Sequence, residues 1–180
     1  MNLLQPYVQK NAKEYESMRG NGSHIFEYYA FEEEPAAQPI NAVPDGCVDL
    51  LYAIGEDDVR CFLGGTVLKM KYWPFEKNRT YFGIRFNPGQ CILPKGISIE
   101  DIINTDIEIP SDAYGSQIDE SLAQAKSMEE RAAIIHRMLA DAKRKQISAD
   151  SKGEIEAYVR NRIYETKGTV SMKEISQGTG

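Results

Sequence analysis

Two charged residues stand inside runs that are otherwise apolar: Asp49 within Cys47 to Ile54 (CVDLLYAI) and Arg85 within Arg79 to Phe86 (RTYFGIRF). A carboxylate buried in such a run without a partner is strongly disfavoured, so Asp49 must face solvent, a cation or a ligand cavity. Arg85 is the natural cation, and two readings of the pair stay open. Either it is a half-buried ion pair that serves structure alone, or it is a polar group lining a pocket. Trp73, Tyr72, Tyr52, Tyr81 and the pair Tyr28-Tyr29 are enough to line a cavity for a small organic molecule, or to pack core and rim. The candidate ligand-binding residues are therefore Asp49, Trp73, Tyr81 and Arg85.

Other chemistries find little material. With two histidines, His24 and His136, the chain cannot assemble the multi-histidine cluster of a metal-dependent barrel enzyme, so no metal is expected. His136 reads as the flank of a helix stripe, and His24 opens a strand. Three cysteines, Cys47, Cys61 and Cys91, are an odd number at wide spacing, which fits neither a disulfide framework nor a C-x-x-C clip; buried, reduced thiols are expected. No glycine-rich dinucleotide loop, Walker loop or nucleophile-elbow serine occurs, so the reading assigns no catalytic residue, no cofactor and no enzyme activity. Glu32 to Glu34 and Glu56 to Asp58 look like solvated turns, and Asp45 is explained by its own turn.

These residues have to be positioned by strands. Up to about Ile109, short runs rich in Val, Ile, Tyr and Phe alternate with Gly, Pro, Asn and Asp clusters, the pattern of a sandwich or barrel. His24 to Phe31 reads as a strand stopped by Glu32-Glu33-Glu34-Pro35. Val43-Pro44-Asp45-Gly46 is a turn, and behind it Val48, Leu50, Tyr52 and Ile54 share one face while Cys47, Asp49, Leu51 and Ala53 share the other. Further strands are expected over Val59 to Leu63, over Thr66 to Tyr72 ending at Pro74, and over Arg79 to Phe86 with Asn87-Pro88-Gly89 as the closing turn. The last of these alternates Phe82, Ile84 and Phe86 against Tyr81, Gly83 and Arg85.

From about Ser111 the period becomes helical. A short helix is expected from Ser116, with Ile118, Leu122 and Ala125 on one side. Ser127 and Glu130 form a capping box ahead of the stripe Ile134, Ile135, Met138, Leu139 and Ala142, which is either core or a dimer seam. After a polar linker over Ile147 to Lys152, a helix presents Ile155, Tyr158, Val159, Arg162 and Ile163 and ends at Gly168. Ser171 and Glu174 make a second capping box that opens another helix. This order of elements is how a helix-turn-helix DNA reader begins, and equally how an ordinary helical hairpin begins.

At 180 residues with 42% hydrophobic content, the chain holds one folded domain or slightly more. The amino terminus lacks the basic start and apolar run of a secretory signal, and no stretch approaches a membrane span, so a cytoplasmic protein with no membrane partner is expected. The net charge of -6 argues against a chain that binds nucleic acid along its whole length. The acidity belongs to the front: residues 1–115 carry 10 Lys+Arg against 17 Asp+Glu, and residues 116–180 carry 11 against 10.

Val43-Pro44-Asp45-Gly46-Cys47-Val48-Asp49-Leu50-Leu51-Tyr52 and Tyr81-Phe82-Gly83-Ile84-Arg85-Phe86-Asn87-Pro88-Gly89 together resemble the sensor half of AraC-type bacterial transcription regulators. Thr169 to Gly180 is similar to the start of the AraC-type DNA-binding domain. The resemblance implies an α+β protein with a cupin-like β-barrel sensor over residues 1–115. It implies a helical dimerisation segment over 116–150 and the first helices of a helix-turn-helix domain over 151–180. It also implies a homodimer, an unknown small-molecule effector, and DNA as a partner through helices that follow Gly180. The alternatives are a stand-alone small-molecule carrier or non-metal barrel enzyme without a DNA role, and a module whose barrel binds protein.

Overall fold

The computed structural model describes residues 12–20, 24–33, 40–42, 44–73, 75–115, 117–146 and 152–178. The strand stops expected at Pro35 and Pro74, the helix start at Ser116 and the linker residues 147–151 lie outside them. The fold is α+β. In chain order the strands are β1 (Ala12–Arg19), β2 (Ile25–Glu33), β3 (Ile40–Ala42), β4 (Asp49–Ile54), β5 (Val59–Gly64), β6 (Lys71–Trp73), β7 (Thr80–Phe86) and β8 (Asp106–Ile109). Six of them form one antiparallel sheet in the order β1-β2-β7-β4-β5-β8, and β3 and β6 pair as a separate ribbon.

The sheet is open, with β1 and β8 as its edges, where the sequence led to the expectation of a closed cupin-like barrel. Neither edge offers the other a long regular ladder: β8 has 4 residues, and β1 is bulged between Lys13 and Glu16, with Glu14 at φ 53°. Two further expectations shift. The glutamates do not stop β2 at Phe31, because Glu32 stays in register with Lys13 on one side and Thr80 on the other. Thr66 to Met70 is not strand; only Lys71–Trp73 is, and Leu68 and Met70 are exposed.

The alternation in β4 and β7 gives the sheet two apolar faces, as the spacing predicts. Val48, Leu50, Tyr52, Ile54, Phe82, Ile84 and Phe86 enter the larger core, which also holds Leu122 and Ile135 of two helices, α1 (Asp119–Gln124) and α2 (Met128–Gln146). Leu51, Ala53, Tyr29, Phe31 and Tyr81 form a second cluster on the opposite face, with Phe62, Trp73 and Phe75 packed against it. The stripe of α2 is core: Ile135, Met138, Leu139 and Ala142 are buried and Ile134 packs on them, so this face is not available as a dimer seam. His136 is exposed beside the stripe. At the start of α2 the Glu130 amide donates to Ser127 Oγ (3.2 Å), as a capping box requires, but the Glu130 carboxylate accepts from the Lys126 amide (2.7 Å), one residue earlier than expected.

The chain divides into two compact units, residues 9–146 and a second that contains α3 (Lys152–Glu165) and α4 (Met172–Gly178). α3 ends in a Schellman arrangement: the Gly168 amide donates to the Ile163 carbonyl (2.8 Å) and the Lys167 amide to the Tyr164 carbonyl (3.1 Å). The first left-handed residue is Lys167 (φ 54°), with Gly168 (φ 81°) behind it, so the stop falls one residue before the glycine that marks it in the sequence. α4 opens on the full capping box: the Ser171 amide donates to the Glu174 carboxylate (2.9 Å) and the Glu174 amide to Ser171 Oγ (3.3 Å). These bonds hold the Glu174 carboxyl below its ordinary range. A Cβ at Gly178 would collide with the Tyr158 ring and hydroxyl, so the glycine is what lets α4 lie against α3 there.

Candidate functional site

The second face of the sheet carries the predicted site. Asp49 begins β4 and Arg85 lies near the end of β7, and the antiparallel register sets them directly opposite. The guanidinium grips the carboxylate with both forks: Nε donates to Asp49 Oδ1 and Nη2 to Asp49 Oδ2, each at 2.9 Å. Both side chains are largely buried, at 11% and 13% exposure, which selects an engaged ion pair over two solvated charges.

Register extends the pair into a row across the sheet. Asp106 is opposite Gly64, Gly64 opposite Asp49, Asp49 opposite Arg85, Arg85 opposite Glu27, and Glu27 opposite Arg19. Neighbours in such a row stand about 4.8 Å apart, on one face. Arg85 Nη1 also lies 3.5 Å from Asp45 and 3.9 Å from Glu27, so three carboxylates surround one guanidinium. Burial pushes the Glu27 carboxyl up from its ordinary value of 4.5; Arg85 opposes that shift, and Asp49 and Asp45 add to it. Asp45 does two jobs. Its Oδ1 accepts from the Cys47 amide (2.9 Å), which is the turn role read from the sequence, and its Oδ2 faces Arg85.

Two glycines make room on the face. A Cβ at Gly83 would collide with the Tyr29 ring, and one at Gly64 with the outer edge of the Trp73 indole, so each glycine leaves the room that an aromatic ring takes up. The Trp73 indole, on β6, thus lies against Gly64, the residue opposite Asp49 on β5. Arg85 in turn stands 5.9 Å from the Tyr29 ring centre.

Tyr81 belongs elsewhere on the face. Four residues before Arg85 on β7, it lies about 13 Å along the strand. Its hydroxyl accepts from the Glu76 amide (2.6 Å) and donates to the Glu76 carbonyl (3.2 Å), and its ring meets Phe31 and Phe75. Glu76 is further tied by its carboxylate to Arg79 (2.6 Å) and to Arg60, and Arg60 grips Glu108 through two bonds of 3.0 and 2.7 Å. Lys71 pairs with Asp106.

The structure therefore pairs Asp49 with Arg85, sets Trp73 against Gly64 opposite Asp49, and places Tyr81 further along the face in the aromatic cluster on which Trp73 also packs. Tyr52 and Tyr28 are core residues of the first face, where the Tyr52 hydroxyl donates to Met138 Sδ (3.6 Å). Sequence reasoning missed Glu27, Asp106, Gly64 and Glu76. Glu27 had a signal, since it interrupts an apolar strand as Asp49 does; the others are visible only once strands are in register. The three thiols are free, and burial pushes that of Cys61 up to about 12. His24 is not isolated at the start of its strand: its Nε2 meets Lys143 Nζ at 2.7 Å.

Among the described residues no helix is long and apolar enough to cross a membrane. No curated protein and no solved structure matches the chain. Asp49, Trp73, Arg85, Glu27, Gly64 and Asp106 all lie within residues 23–108, the stretch that is similar to a family described as "Domain of unknown function (DUF6597)".

Proposed function

We propose that this chain is the effector-sensing and dimerising portion of a cytoplasmic, DNA-binding transcription regulator of the AraC type, without enzyme activity of its own. What supports the reading above all is the α3–α4 unit. A helix closed by a Schellman stop, a short connection and a second helix opened by the Ser171–Glu174 box are the local features with which a helix-turn-helix reader starts. On this reading the open sheet and the β3–β6 ribbon stand for the cupin-like sensor, and the effector binds on the face that carries Asp49, Trp73 and Arg85. An effector acts by binding one arrangement of the sensor more tightly than another, since only differential affinity shifts such an equilibrium.

The test has two arms. A thermal-shift screen of small metabolites should find at least one that stabilises the wild type and not Asp49→Ala; equal shifts in both proteins would remove Asp49 from the site. The 180-residue chain should show no specific DNA affinity at physiological salt, while a chain continued through a recognition helix should, and should sediment as a dimer. A stabilising metabolite together with a longer chain that ignores DNA would favour the carrier or barrel-enzyme alternative.

A further inference from the structure

We propose that the corner formed by residues 66–71 and 99–104 is the surface on which a second copy of this chain docks. The proposal rests on the functional reading for the dimer alone and adds the face that makes it. The α2 stripe is core and leaves no seam there, so a dimer has to be built from another apolar face. Among the described residues of the unit 9–146, Leu68 and Met70 are the most exposed large apolar side chains, at 60% and 61%, and Ile99 and Ile103 stand open with them.

Local bonds bring these four to one place and hold them there. The β5–β8 ladder ends with Gly64 opposite Asp106, and two backbone bonds carry the segments on together beyond it. The Gly65 amide donates to the Thr105 carbonyl (3.0 Å) and the Asn104 amide to the Thr66 carbonyl (2.9 Å). Asn104 Oδ1 then accepts from the Leu68 amide (2.7 Å), which brings Leu68 next to the Ile103–Asn104 step. Asn104 has φ 57°, a left-handed value that asparagine tolerates better than most side chains. Lys71, by pairing with Asp106, returns the chain to β8 just after Met70. One buried residue pins each segment to the core, Val67 in the first and Ile102 in the second, while their neighbours Leu68 and Ile103 stay outside. The patch is thus in place before anything docks on it, and docking has little to order.

Charge selects the occupant. Residues 66–71 carry Lys69 and Lys71 and no acid, and residues 99–104 carry Glu100 and Asp101 and no base. Lys71 is engaged by Asp106, and Asp101 accepts from the Ser98 amide and hydroxyl, both at 2.8 Å. Lys69 and Glu100 are exposed and make no ion pair among the described residues. An apolar patch with a basic side and an acidic side is complementary to itself. A twofold axis that runs between the segments, in the plane of the interface, lays residues 66–71 of one copy over residues 99–104 of the other. Leu68 and Met70 then meet the other copy's Ile99 and Ile103, and each Lys69 meets the other copy's Glu100. A partner of one charge sign, such as a nucleic acid, would suit one side of the patch and be repelled by the other.

The test is sedimentation equilibrium of the 180-residue chain through the micromolar range, with far-ultraviolet circular dichroism to check the fold of each variant. The wild type should dimerise, and Leu68→Asp should raise Kd about a hundredfold, because both copies lose an apolar contact and gain a charge. Lys69→Glu and Glu100→Lys each set like charges against one another twice, and each should raise Kd about tenfold. Mixing these two variants should restore the affinity as a heterodimer, and so should placing both substitutions in one chain. A wild type that stays monomeric overturns the proposal. Dimers that ignore Leu68→Asp overturn the surface and leave the dimer of the functional reading in place. Single swaps that weaken the dimer with no recovery on mixing overturn the pairing of Lys69 with Glu100. The full pattern, together with a lengthened chain that ignores DNA, would keep this surface and sink the regulator reading.

Discussion

Arg85 is one guanidinium shared among Asp49, Asp45 and Glu27, and the sharing sets what each substitution does. Asp49→Asn removes the two-pronged partner but leaves two carboxylates near the cation, so it should cost about 2 kcal/mol in urea unfolding at pH 7. Arg85→Met leaves the three acids facing one another in a largely buried place and should cost more, about 3–5 kcal/mol. An equal cost for the two would mean that Asp45 and Glu27 contribute nothing. Glu27 adds a pH dependence of its own. Its folded pKa is raised by burial above 4.5, so its favourable share of stability is complete below that pH and is lost as pH rises through the folded value. Glu27→Gln should therefore gain on the wild type as pH climbs from 4 to 7, and the two unfolding curves should converge in acid. The Asp49–Arg85 pair was legible in the sequence because a charge within an apolar strand has to find an opposite charge. The company it keeps was not legible, since Glu27 and Asp106 reach the same row from strands whose pairing no local pattern specifies.

The helices and turns follow rules that act within a few residues, and here sequence and structure agree best. Ser171 and Glu174 cap α4 as read, and the apolar stripe of α2 is buried as core. Met138 lies inside that core and accepts from Tyr52, so Met138→Ala should lower stability by about 2–5 kcal/mol without changing the oligomeric state seen by light scattering. A change of oligomeric state would return the stripe to an interface. At the end of α3, Lys167 adopts a left-handed conformation that a side chain resists, so Lys167→Gly should stabilise the stop by about 0.5–1 kcal/mol. Slower exchange of the Gly168 amide, which closes on Ile163, would register the gain. Strands were read less well. Thr66 to Met70 has strand composition but remains irregular: its Asn104–Thr66 and Leu68–Asn104 bonds tie it to the residues just after a short 3-10 turn, Glu100–Ile102, instead of to a ladder. Nothing in the composition of Ala12–Arg19 announced β1, whose partners lie in β2.

On the scale of the whole sheet, apolar clusters on both faces make the strands a shared wall between two cores. Ile135→Ala on the helix side and Phe31→Ala on the opposite side should cost about 2–5 and 3–5 kcal/mol respectively, and both should shift the same single far-ultraviolet transition of the strands. Two separate transitions would mean that the faces fold independently. The amino-acid sequence by itself determined what depends on near neighbours: the two-faced alternation of β4 and β7, the turns at Asp45-Gly46 and Pro88-Gly89, the cap of α4 and the Ser127 half of that of α2, and the need of Asp49 for a cation. Only the tertiary structure decided that the sheet stays open, that the α2 stripe is core, and that Gly64, Asp49, Arg85 and Glu27 share one row across the strands. The physical reason is register. Side chains alternate every two residues, so a one-residue slip would send this row to the opposite face, and the choice is made by contacts between segments far apart in the chain.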